Sequence, residues 1–337
     1  MKNIFIISAI SALFILNACI IRPDDYPFER GSLPSSPVNL TQFNTVFDDY
    51  NSAAPYIRDY IPFCFSTNRN SNGNEFDIIC QVLKMDFSKM TGILEMKNLS
   101  IDTNNYIYDY DVINIGLEKI KSTGNELGPN LITEENIFSS TRKDTFTLLY
   151  ATNVTGNYQI NYISNRTNET FSDPKEVRFL NSNFDDLYPS FNKDKTKIYF
   201  CSNRNGNDYN FHYVNLKPAK NVEAILSDTS SYQVFMDSTL SSASDDKCPF
   251  IFENTMVFAS NRSGGFGGYD LYYSIYNNGA WSAPVNCGEK INTRYDEFRP
   301  ILLNQRVSDT QKMMIFSSNR PGGLGGFDLY YTGIPNQ

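Results

Sequence analysis

Three phrases that recur along the 337-residue chain predict an all-β fold, a β-propeller of four-stranded blades. The first is Ile315-Phe316-Ser317-Ser318-Asn319-Arg320, continued by the glycine-rich stretch from Pro321 to Gly326 and by Phe327-Asp328-Leu329-Tyr330-Tyr331. It repeats Val257-Phe258-Ala259-Ser260-Asn261-Arg262 through Tyr273 at a period of 58 residues. The second places acids shortly before a proline, as in Asp296-Glu297-Phe298-Arg299-Pro300 and Asp185-Asp186-Leu187-Tyr188-Pro189. The third is a proline phrase upstream of the second, as in Trp281-Ser282-Ala283-Pro284-Val285-Asn286. Each unit therefore holds several short β-branched and aromatic runs separated by Gly, Asn, Asp and Pro, which is the pattern of a propeller blade.

Taken in order, the chain opens with Met1-Lys2-Asn3 and a 13-residue apolar stretch from Ile4 to Leu16. About 20 apolar residues are needed to span a bilayer as a helix, so this stretch reads as a secretory signal. Leu16-Asn17-Ala18-Cys19 resembles the bacterial lipobox, which implies cleavage after Ala18 and lipidation of Cys19. Asp24-Asp25 is a weak version of the acidic export cluster of Bacteroidota lipoproteins. The expected organisation is a signal peptide over 1–18, a tether over 19–32, one propeller domain over 33–333 and a tail over 334–337. The expected location is the outer membrane, on the periplasmic or surface side, with the lipid as the only membrane attachment.

Eroded copies of the first phrase follow at Phe65-Ser66-Thr67-Asn68-Arg69, at Leu149-Tyr150-Ala151-Thr152-Asn153 without its arginine, and at Tyr199-Phe200-Cys201-Ser202-Asn203-Arg204. The second phrase recurs as Asp245-Asp246-Lys247-Cys248-Pro249 and, more loosely, at Asp48-Asp49 and Glu134-Glu135. The third is seen again at Ser36-Pro37-Val38-Asn39, Gly128-Pro129-Asn130 and Ser172-Asp173-Pro174. These phrases resemble the WD40-like propeller repeats of the TolB type, which implies a ring that binds partners. Pro37 and Pro129 lie twice as far apart as Pro129 and Pro174, so a degenerate blade over Met96–Ile115 is expected between them. The expected ring has six blades, with five blades and a long insertion as the alternative. Its last repeat lacks a proline phrase while Pro37-Val38-Asn39 has no blade before it, so the N-terminal strand should close the ring.

Composition narrows the chemistry. The formal charge of −8, with no basic run, argues against nucleic acid. His212 is the only histidine, which excludes mechanisms that need a His pair. The five cysteines after Cys19 show no Cys-x-x-Cys spacing, and core thiols are expected. Gly264–Gly268 and Gly322–Gly326 precede β runs and recur, so they read as tight inter-strand connections and no nucleotide or other cofactor is expected. No Asp-x-Asp-x-Asp run suggests a metal. The acids Asp185, Asp245 and Asp296 should share a face with Arg204, Arg262 and Arg320, and with Arg69, as repeated clamps on each hairpin. Because the conspicuous residues are the repeated ones, the expected function is a non-enzymatic binding or scaffold module for an envelope protein or glycan. The alternative is a glycan-active hydrolase or lyase with a carboxylate site in the central funnel; sialidase-type boxes are absent.

Overall fold

The computed structural model describes residues 32–55, 60–88, 90–99, 108–134, 145–166, 170–206, 208–303 and 311–335. They form five sheets arranged as a closed ring. A short strand β1 (Val38–Asn39) precedes blade 1, which comprises β2 (Asp49–Ala53), β3 (Tyr60–Thr67), β4 (Asp77–Ser88) and β5 (Ile93–Asn98). Helix α1 (Tyr108–Ile120) leads to blade 2, with β6 (Glu126–Glu134), β7 (Thr145–Thr152), β8 (Gln159–Ser164) and β9 (Lys175–Glu176). Blade 3 holds β10 (Asp186–Phe191), β11 (Lys197–Ser202), β12 (Asn210–Asn215) and, after helix α2 (Val222–Leu226), β13 (Val234–Met236). Blade 4 holds β14 (Asp246–Phe252), β15 (Thr255–Ser260) and β16 (Asp270–Asn277), with its outer edge split into β17 (Ala280–Trp281) and β18 (Val285–Asn286). Blade 5 holds β19 (Glu297–Leu303), β20 (Gln311–Ser318) and β21 (Asp328–Pro335), and β1 is its fourth strand.

That fourth strand closes the ring, with Val38 opposite Tyr331 and Asn39 opposite Tyr330. Asn44 seals the junction from both directions: its Nδ2 donates to the Leu329 carbonyl and its Oδ1 accepts the Leu329 N–H. The middle strands β7 and β15 are buried at every position, and both are continuous runs such as Thr-Met-Val-Phe-Ala-Ser. Each is covered on both faces by neighbouring blades, so the period-two alternation of a half-exposed strand is lost.

The five innermost strands share one irregularity. Each slips its pairing register shortly after its first residue, as between Leu187 and Ser190 in β10 and between Phe298 and Ile301 in β19. The same slip occurs in β2, β6 and β14. At each bulge one residue takes a positive φ: Asn51 (58°), Gly128 (61°), Tyr188 (55°), Cys248 (58°) and Arg299 (46°). Only Gly128 adopts this conformation without steric cost, and strain at the other four is of order 1–3 kcal/mol each. A Cβ at Gly128 would meet the Tyr188 ring, so these positions converge across the ring.

The ring has five blades, not the expected six. Among the described residues the stretch from Met96 to Ile115 supplies no blade: its first residues end β5 and its last lie in α1. Ile113, Leu117 and Ile120 of α1 pack with Cys64, Ile78 and Cys80 of blade 1 and with Phe146, Leu148 and Phe171 of blade 2, so the helix fills the wedge between two blades. The error came from Gly128-Pro129. These residues lie in the innermost strand β6 and correspond to Tyr188-Pro189, not to the proline phrase that precedes a blade.

Candidate functional site

The acidic pairs divide their work between two partners. Successive residues of a strand point to opposite sides, and the second acid of each pair turns toward its own hairpin. There Asp49, Asp186, Asp246 and Glu297, all buried, accept from Nη2 of Arg69, Arg204, Arg262 and Arg320 at 2.5, 2.5, 2.5 and 3.0 Å. Each of these Nη2 groups also donates to a carbonyl of the preceding turn: Phe43, Leu180, Leu240 or Ile291. The clamps therefore exist one residue further on than expected, because Asp185, Asp245 and Asp296 do not pair with the arginines.

Those first acids tie one blade to the next. Asp185 accepts the Tyr158 N–H at 2.8 Å, Asp245 the Tyr209 N–H at 2.9 Å, Asp296 the Tyr269 N–H at 2.8 Å and Asp48 the Phe327 N–H at 2.7 Å. In blade 2 the position is Asn125, which accepts from Phe76. The backbone N–H groups of all five donate to the asparagine of the first phrase: Asn68, Asn153, Asn203, Asn261 or Asn319. The result is a ring of four carboxylates alternating with five aromatic side chains, Phe76, Tyr158, Tyr209, Tyr269 and Phe327.

Inside this ring lies a funnel of about 360 Å³, lined by Tyr50, Leu127, Leu187, Tyr188, Lys247 and Phe298, by Tyr158, Tyr209, Tyr269 and Phe327 of the ring, and by Asp296. Tyr209 Oη donates to Asp185 and Tyr269 Oη to Asp245, both at 2.6 Å. Lys247 Nζ lies 4.1 Å from the Tyr209 ring centroid and 3.1 Å from Asp245 Oδ2. Burial pushes the Asp245 carboxyl up, but the Tyr269 hydroxyl, the Tyr209 N–H and Lys247 outweigh it and hold it below its usual range. Burial, reinforced by hydrogen bonds to these carboxylates, raises the Tyr209 and Tyr269 hydroxyls well above theirs. Asp296 has one oxygen on Tyr269 N–H and the other on the Asn319 amide at 3.0 Å. Among the described residues nothing donates to the second oxygen of Asp48.

Glu126 occupies the clamp position of blade 2, where Val154 replaces the arginine. It accepts from Ser122 and Thr152, keeps one buried oxygen unpartnered, and is pushed up to about 7 by burial. His212 lies in β12, buried against Phe200; burial holds its imidazole down at about 4. Cys64, Cys80, Cys201 and Cys248 are buried free thiols, and Cys287 is partly buried. The glycine runs pack against the next blade, with Asp270 and Asp328 accepting their N–H groups. Asn286 and Asn39 of the proline phrase hold those same aspartates. Cys19, the signal peptide and almost all of the tether lie outside the described residues. The aromatic ring is not among the sequence expectations, although Tyr269-Asp270 and Phe327-Asp328 stand at matching places in the first phrase.

A closed ring of five four-stranded blades with an aromatic and acidic funnel on one face defines the class as a five-bladed β-propeller. The chain matches no protein-family model and no curated protein. Among solved structures it resembles the GH43_1 enzyme from Xanthomonas citri complexed with xylose, at 9% identity and a TM-score of 0.51, covering 90% of this chain and 91% of that one. The catalytic domain of the Coprinopsis cinerea GH62 α-L-arabinofuranosidase matches at 11% identity and a TM-score of 0.48, covering 90% and 96%. The likeness to the Xanthomonas citri enzyme is one of fold. It corrects two expectations, a purely binding role and the absence of enzymatic activity: the five-bladed ring is a fold that this chain shares with an enzyme.

Proposed function

We propose that the chain is a glycan-active hydrolase whose site is the funnel. One observation carries this: a concave opening of sugar size is lined by Tyr158, Tyr209, Tyr269, Phe327 and Asp296, and three further carboxylates, Asp48, Asp185 and Asp245, are hydrogen-bonded to the backbone of those aromatic residues. Aromatic faces stack on the C–H faces of a pyranose or furanose. Carboxylates bind its hydroxyls and supply the acid and base that glycosidic cleavage needs. Asp245, held ionised by its donors, suits an electrostatic role beside a developing oxocarbenium ion. Asp296, the carboxylate of the four that lines the funnel, and Asp48, which accepts on one oxygen among the described residues, are assigned the proton-transfer work. The Xanthomonas citri enzyme of similar fold was solved with xylose, so pentose-containing glycans are the first substrates to try. Export and a lipid tether at Cys19 would place this activity at the outer membrane, where polysaccharide is met.

The test is incubation of the purified protein with arabinan, xylan and galactan oligosaccharides, followed by chromatography of the products. Release of shorter saccharides or monosaccharide is expected. Intact oligosaccharides throughout, under conditions where the protein binds them, would overturn the proposal.

A further inference from the structure

Arg299 stands apart from the other arginines among the described residues. It is fully buried, lies at the strained bulge of β19 in blade 5, and reaches across the axis to donate from Nη2 to the Pro129 carbonyl of blade 2 at 2.9 Å. Its guanidinium carbon is 5.4 Å from the Tyr188 ring centroid of blade 3 and 5.9 Å from that of Phe250 in blade 4. The guanidinium therefore sits where four blades meet. Tyr188 forms part of the funnel above it, and Phe250 lines a second cavity, of about 230 Å³, further along the same inner strands.

No carboxylate among the described residues pairs with Arg299, whereas each arginine of the hairpin clamps has a buried acid. The groups that feel its charge are the Tyr188 phenol and the thiols of Cys248 and Cys201, which burial keeps neutral. Nε and Nη1 are buried and have no partner, so two donors of a permanent cation are left over. Asn51, at the equivalent bulge of blade 1, also has both side-chain amide atoms buried and unpartnered. Water could accept from these donors but would leave the charge uncompensated, and a buried charge is retained only when paired. A cation on the axis would be repelled.

We propose that Arg299 holds a small monovalent anion, of halide or formate size, on the propeller axis beneath the funnel. The anion accepts from Nε and Nη1 and joins the inner strands at their strained bulges. This site does not depend on the glycan reading, because Arg299 takes no part in the carboxylate ring.

The test is thermal melting of the full chain in sodium chloride, bromide, formate and gluconate at constant ionic strength, for the wild type and Arg299→Met. The wild type should gain roughly 3 °C, saturably, in the small anions and nothing in gluconate, and Arg299→Met should lose that response. Equal gains in all four salts, or an unchanged response in Arg299→Met, would overturn the site. Should the variant not fold, crystals of the wild type grown in bromide decide. An anomalous peak beside the Arg299 guanidinium supports the site, and its absence at full bromide exchange refutes it.

Discussion

Arg262 donates to Asp246 and leaves Asp245, the adjacent residue, to the Tyr209 N–H and the Tyr269 hydroxyl. Two adjacent aspartates at the start of β14 thus serve two structures, the first the face and the second the hairpin. Breaking a buried pair by removing one partner costs about 3 kcal/mol, because the other charge is stranded. Arg262→Ala should therefore lower the stability by that order in chemical denaturation. A double-mutant cycle should show coupling with Asp246→Asn and little with Asp245→Asn; coupling to Asp245 would contradict the assignment.

Blade 2 provides the converse experiment. Glu126 has a folded-state value of about 7, above its unfolded value near 4.5, so the folded state binds the proton more tightly. Its contribution is intact below pH 4.5 and is lost as pH rises toward 7. Glu126→Gln should melt like the wild type at pH 4.5 and above it at pH 8. Val154→Arg, which supplies the guanidinium the other blades possess, should also raise the pH 8 melting temperature. No gain from either substitution would show that the Glu126 site is relaxed without a clamp.

The glycines of the repeated loop differ in what they avoid. A Cβ at Gly267 would run into the backbone carbonyls of Tyr295 and Thr293 in the next turn, whereas at Gly264 it meets open space and only the positive φ of 88° opposes it. Gly264→Ala should cost about 1 kcal/mol and Gly267→Ala clearly more, read as shifts in denaturation midpoint. Equal costs would mean that the loop is not packed between blades.

Ring closure rests on β1 and on the two-way bond between Asn44 and Leu329. Deleting residues 33–44 uncovers the edge of β21, and an uncovered edge pairs with other chains. Light scattering should show that variant aggregating near its melting point, at a temperature below that of the wild type. Retention of a monomer of equal stability would refute the closure.

The repeat phrases made the blades legible because identical tasks in each blade keep identical residues: Asn39 and Asn286 hold aspartates, and Asn319 and Asn261 hold the acidic turns. The number of blades was not legible, because Pro129 lies beside a glycine and imitates the proline phrase while belonging to the innermost strand. The arginine partner was misplaced by one residue, since two adjacent acids look alike until the strand's alternation is known. The residues at the axis are marked in the sequence only by place: Gly128, Tyr188, Cys248 and Arg299 each stand directly before a proline. With Asn51 they share a backbone conformation and nothing in their chemistry, so the pattern locates them without showing that the bulge brings them together.

The central claim is that the carboxylate ring hydrolyses glycosidic bonds, and the most direct test is kcat/KM for the wild type, Asp48→Asn and Asp296→Asn on an oligosaccharide that the wild type cleaves. Loss of a positioned acid or base costs about 100-fold or more, so each variant should fall by at least that factor while melting within a few degrees of the wild type. Full activity in both variants, with the ring intact by melting, would contradict the account.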